Sequence, residues 1–212
     1  MKNVLIVGAG RFGRFTAMKL GELGHQTMVI DRNEDHVAKI LPYVTDAQIG
    51  DSTDEDFLKT LGIPDFDFCV VAIGDDFLSS LETTALLEEL GAKKIISRAT
   101  NENQEKFLKK NGATEVVFPE RQLGNWTAIR FSSDNISNYI ELSDGYSIFE
   151  VAVPEKWAGK RVGELNVRNK YNINILGVQN GTMNMNINTN TILKKGQKML
   201  VLGEQKILQK LF

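Results

Sequence analysis

Three glycines and one aspartate carry the first chemical signal in this chain. Gly8, Gly10 and Gly13 form a G-x-G-x-x-G turn. Asp31 follows about 20 residues later, where a dinucleotide fingerprint places its carboxylate. In such a turn the first glycine permits a tight bend. The second lets the backbone approach a diphosphate, and the third lets a helix pack on a sheet. The helix that follows presents free N–H groups and a partial positive charge to phosphates. Asp31 then accepts hydrogen bonds from ribose hydroxyls. A plain strand-to-helix turn and a helix N-cap are the bland readings of the same residues. Both signals in register favour a nucleotide site, and the carboxylate disfavours a 2′-phosphate, hence NADP.

The surrounding pattern supplies the elements such a site needs. The apolar run 4–7 leads straight into the glycines, and 27–30 ends at Asp31. Further strand-like runs lie at 47–49, 68–73, 94–97 and 115–118. Amphipathic segments at 12–23, 34–41, 54–61, 76–90 and 102–110 separate them. In the fourth, the spacing of Leu78, Leu81, Ala85 and Leu86 predicts one buried helical face. Alternation of this kind with short loops predicts a doubly wound parallel sheet.

Near Pro119 the pattern changes. The stretch 120–132 reads as a longer crossover helix, and 134–145 is polar and turn-rich. Short strands are then expected at 148–153, 174–178, 183–186 and 198–202, with a helix near 163–170 and a last one from Glu204. The Asn-rich run 180–190 fits a hairpin turning at Asn180-Gly181. The expected class is α/β, a Rossmann-like doubly wound parallel sheet followed by a crossover helix and a small α+β domain. The expected division is 1–133 and 134–212. The second part, roughly 75 residues, is near the lower size for independent folding and points to a dimer.

Composition narrows the function classes. The 212 residues carry 25 basic and 27 acidic side chains, with 42% apolar residues. No basic stripe offers a nucleic-acid footprint, so no nucleic-acid partner is expected. No apolar run approaches bilayer length, and Met1 leads into a core strand, so a cytoplasmic protein without a signal peptide is expected. The single Cys69, inside an apolar strand, is expected to be a buried, inert thiol.

Residues for catalysis are harder to find. His25 and His36 are expected on the surface, away from the carboxyl edge of the sheet where ligands bind. No nucleophile pairs with a base, and no G-x-x-x-x-G-K-[ST] loop is present. A dehydrogenase needs an acid or base beside its nicotinamide, and the C-terminal part has no histidine. The pattern favours nucleotide sensing over nucleotide chemistry, so the chain is expected not to be an enzyme.

Longer motifs sharpen this. The blocks 7–14, 50–54, 71–74, 118–120 with Gly124, and above all 165–171, Leu-Asn-Val-Arg-Asn-Lys-Tyr, resemble one family across nearly the whole chain. It is that of the cytoplasmic gating subunits of bacterial Ktr/Trk potassium transporters, built from regulator-of-potassium-conductance domains. The resemblance implies homodimers assembled into an octameric ring. The ring docks under a potassium-translocating membrane subunit, which adenine nucleotides gate through the ring's shape.

It also implies roles for individual residues. Asp31 holds the ribose, Asp51 faces the adenine side, and Arg11 and Arg98 reach the terminal phosphates. Phe12, Arg32, Ser52, Ile73 and Gly74 complete the cofactor site. Converging arginines favour ATP and ADP over NAD or NADH. At position 98 relatives often carry Lys, so the charge is kept and the geometry toward phosphate changes. Glu120 from neighbouring subunits binds Mg or Ca beside the phosphates, or serves only the helix dipole. In the C-terminal part, Val162, Arg168 and Asn174 match a cyclic di-AMP pocket. An NAD-dependent oxidoreductase, or an NAD/NADH redox sensor, is the alternative.

Overall fold

The computed structural model describes residues 1–212, Asn180 by its backbone alone. Two compact units make up the chain, Met1–Arg121 and Gln122–Phe212.

The first unit alternates strand and helix throughout. Its elements are β1 (Asn3–Val7), α1 (Arg11–Glu22), β2 (Gln26–Asp31), α2 (Glu34–Ile40), β3 (Asp46–Ile49) and α3 (Glu55–Thr60). They continue with β4 (Phe68–Val71), α4 (Phe77–Glu89), β5 (Ile95–Arg98), α5 (Glu102–Lys110) and β6 (Glu115–Val117). Helix α6 (Pro119–Arg130) follows, and the division between the units falls inside it. The sheet is parallel, in the order β3-β2-β1-β4-β5-β6. Chain direction across the sheet reverses between β1 and β4, the switch point at which α/β sheets bind ligands. Strand β1 is buried on both faces, as a central parallel strand must be. Leu5 and Val7 enter one apolar cluster with Cys69 and Leu87, while Val4 and Ile6 enter another with Ala17 and Val29.

Helix α4 departs from the expected face. Its buried residues are Ser80, Thr83, Thr84 and Leu87, whereas Leu78 is 63% exposed. The reason is a buried hydroxyl seam. Thr83 Oγ1 and Ser52 Oγ lie 2.7 Å apart, Thr84 Oγ1 and Ser97 Oγ 2.9 Å apart, and Thr84 also donates to the Ser80 carbonyl. Small hydroxyls let the helix lie close to the sheet, Thr83 and Thr84 finding partners there while the buried Ser80 hydroxyl has none. Leu81 and Leu86 pack on the flanks of this contact.

The second unit comprises β7 (Ile136–Glu141), β8 (Tyr146–Ala152), α7 (Val162–Leu165), α8 (Val167–Tyr171), β9 (Asn174–Asn180), β10 (Thr182–Asn184), β11 (Lys198–Glu204) and α9 (Gln205–Leu211). Its antiparallel sheet runs β10-β9-β11-β8-β7 over a core that includes Phe149, Trp157 and Phe212. The hairpin β9–β10 turns at Asn180-Gly181, where Gly181 has φ +79°. Strand β7 lies where only turns were expected. A register shift between Ile136 and Asn138 breaks its alternation, so the apolar period was hidden. The single helix expected near 163–170 is two, because Asn166 between them is left-handed, at φ 48°.

Candidate functional site: a nucleotide crevice at the sheet's carboxyl edge

Strand β1 runs into Gly8, which takes φ +96° and donates its N–H to the Ile30 carbonyl. A side chain is disfavoured in that conformation, so the bend depends on glycine. Gly13 is buried where α1 crosses the turn, and a Cβ on it would meet the Ala72 Cβ at 3.0 Å. Gly10 is different. A Cβ there would meet nothing within 4 Å, so no protein packing explains this glycine. Gly10 caps α1 without a side-chain bond, and no acidic residue lies in the first helical turn. The helix therefore brings no carboxylate of its own to its positive end.

Asp31, the last residue of β2, sits beside this turn. Its Oδ2 accepts the Ala9 N–H at 2.7 Å, and its Oδ1 accepts the Asn33 N–H at 2.8 Å. His36 Nδ1 lies 3.1 Å from the same Oδ2. His36 is partly exposed, as expected, but it does not stand away from the carboxyl edge, since α2 begins so soon after β2 that its first turn returns the ring to the strand end. His25 stands elsewhere, its Nδ1 accepting the Lys2 N–H at 3.2 Å near the start of β1. Asp31 thus ties together the glycine turn, the loop after β2 and α2. Asn33, not Asp31, is the N-cap of α2.

On the far side of the switch point, Arg98 ends β5. Its guanidinium lies over Gly74, where a Cβ would come within 2.1 Å of Nη1. The Arg98 Cζ is 6.0 Å from the Phe12 ring centroid, a cation–π approach. Nη2 bonds Glu120 Oε1 at 2.5 Å, and the buried Nε has no protein partner. The Glu120 backbone N–H, Arg98 and Arg11 hold the Glu120 carboxyl below the ordinary range, against partial burial. So Phe12, Gly74, Arg98 and Glu120 converge, with Arg11 near enough to be felt by Glu120.

The remaining residues divide. Asp51 follows β3 and accepts the Thr53 N–H and hydroxyl at 2.9 and 2.8 Å, which lowers its pKa. Ser52 is buried with its hydroxyl on Thr83, so its side chain faces the protein. Arg32 is exposed and 3.8 Å from Asp76. Ile73 follows β4 and packs against the apolar cluster around Leu5. Among the described residues no group of three or more His, Cys, Asp or Glu is placed to hold a metal ion. Glu120, already bonded to Arg98, does not make a cation site within one chain.

In the second unit Arg168 Nε donates to Asn174 Oδ1 at 2.7 Å. Val162 is partly buried against the core. The structure brings Arg168 and Asn174 together and leaves Val162 partly exposed.

Two domain models match this chain, the TrkA-N domain over residues 4–119 and the TrkA-C domain over 146–212. Ktr system potassium uptake protein C of Bacillus subtilis (strain 168) is 39% identical over 180 residues, 85% of this chain and 81% of that protein. Ktr system potassium uptake protein A of the same organism is 35% identical over 210 residues, 99% and 95% of the two chains. The solved GsuK channel bound to NAD superposes with a TM-score of 0.69 at 22% identity, over 98% of this chain and 38% of that one. At that identity the likeness concerns the fold. No helix among the described residues is long and apolar enough to cross a membrane.

Proposed function

This chain belongs to the family built from TrkA-N and TrkA-C domains, with Ktr potassium uptake proteins as relatives, and from that premise we propose that it is a nucleotide-sensing regulatory subunit of a potassium uptake system. It works on the cytoplasmic side and meets the membrane through a separate potassium-translocating subunit. ATP and ADP are its ligands, and exchange between them changes the shape of a ring of dimers, which gates the pore.

One observation carries the nucleotide reading. Arg98 lies against Phe12 and Gly74 beside the N-terminus of α1, whose first turn carries no acidic residue. The guanidinium and the free N–H groups at the start of the helix gather positive charge at one edge of the sheet, which a phosphate complements. Asp31 takes the ribose, Asp51 flanks the adenine, and Arg11 reaches the terminal phosphate. A divalent cation fits only where Glu120 of a second copy and the phosphates add oxygen ligands. A cyclic dinucleotide is assigned to Arg168 and Asn174 in the second unit.

The second reading is an NAD(H) redox sensor or oxidoreductase. Asp31 favours it equally, because NAD and ATP share the adenosine half. Calorimetric competition among ATP, ADP, NAD and NADH separates the readings. ATP and ADP above both dinucleotides supports the gating subunit; NADH bound tightest, or oxidised in a protein-dependent reaction, replaces it. Potassium uptake by the membrane subunit, with and without this chain, tests the partner.

A further inference from the structure

The Asp31 carboxylate is not a free acceptor. An ionised carboxylate offers about four lone-pair positions. On Oδ2 two are taken, by the Ala9 N–H at 2.7 Å and by His36 Nδ1 at 3.1 Å. On Oδ1 one is taken, by the Asn33 N–H at 2.8 Å. The ring nitrogen facing Oδ2 must carry a proton, since a lone pair there would meet a negative oxygen. The Asp31 side chain is only 11% exposed, so little of it remains for a ligand. His36 is 43% exposed in the first turn of α2 and is not among the buried residues of that helix.

We propose that His36 is a specificity-determining residue of the nucleotide site: by filling the second position on Oδ2, it restricts Asp31 to a single ribose hydroxyl, received on Oδ1. This rests on the adenine-nucleotide reading above. Both backbone donors stay in place whatever occupies position 36, so only the ring decides whether Oδ2 has room. A cis-diol needs both carboxylate oxygens to be received through two bonds. This carboxylate offers one, so the 2′ and 3′ hydroxyls are not equivalent to it.

The test is calorimetry on the full-length protein with ATP, 2′-deoxy-ATP and 3′-deoxy-ATP. In the wild type one deoxy analogue should bind about tenfold or more weakly, while the other binds as ATP does. In His36→Ala both analogues should bind more weakly than ATP, because Oδ2 now receives the second hydroxyl. His36→Asn, which restores an N–H donor at that position, should return the one-sided pattern. Thermal melts of both variants establish that they are folded. Wild type discriminating against both analogues, or against neither, while still binding ATP would overturn the role of His36 and leave the nucleotide reading standing. The same one-sided pattern in His36→Ala would overturn it equally. No binding of any of the three nucleotides to wild type would remove the nucleotide reading itself, and this inference with it.

Discussion

Gly13 sits so close to Gly8 that a Cβ on Gly13 would lie 1.9 Å from the Gly8 carbonyl oxygen. The contact is with backbone, so no side chain can swing away to relieve it. Gly13→Ala should therefore push α1 off the sheet, at the upper end of the roughly 1–3 kcal/mol that overpacking costs. A melting temperature lowered by several degrees checks this. Gly10→Ala should leave the fold nearly unchanged, because its Cβ meets nothing, yet weaken ATP binding. Equal destabilisation by the two substitutions would refute the division of labour.

Asp31→Ala should weaken ATP and ADP alike. Losing a charge-assisted acceptor costs about 1.5–3 kcal/mol, or about tenfold to a hundredfold in affinity. The free protein should also lose stability, since the Ala9 and Asn33 amides lose their acceptor. Calorimetry and melting on one sample separate the effects, and unchanged ATP affinity would sink the ribose assignment.

ATP and ADP should give different scattering profiles. A ligand shifts a conformational equilibrium only through contacts that differ between states, and only the terminal phosphate differs here. Arg11→Ala should erase the difference while adenosine is still bound. Identical wild-type profiles with the two nucleotides would remove this mechanism.

Acid should loosen the crevice. The Asp51 carboxyl is held low by the Thr53 N–H and hydroxyl, and the Glu120 carboxyl by its own N–H, Arg98 and Arg11. A depressed folded-state pKa gives stability that is full above the unfolded value, near about 4, and lost as pH falls through the folded value. Melting temperature should thus drop below about pH 4, and Asp51→Asn should flatten that slope.

Cys69 should resist modification. Burial pushes its thiol pKa up to about 12, so thiolate is scarce at neutral pH. Iodoacetamide should label it only after denaturation. Rapid labelling of the folded protein would mean that β4 opens on its own.

The sheet was legible because apolar runs, glycine turns and helix periods agree there. The glycine turn and Asp31 fall where their spacing placed them. Other features lay in contacts that spacing does not report. Helix α4 turns hydroxyls inward because Ser52 and Ser97, remote in sequence, supply their partners. A register shift hid β7, and a left-handed Asn166 split one helix into two. The place of His36 at the strand end depends on how sharply the chain turns from β2 into α2, which apolar periodicity does not report. Its signal was the short interval after Asp31, combined with the N-cap at Asn33.

The Asp31 carboxylate clasps three segments of backbone and side chain before any ligand arrives. Folding alone is reason enough to retain it, and the same holds for Gly13. A descendant that had abandoned its ligand would still carry both, and a survey of sequences would count it as a binder. Gly10 has no such second duty. Whether that position stays glycine is the trait by which working and retired copies of this site can be told apart.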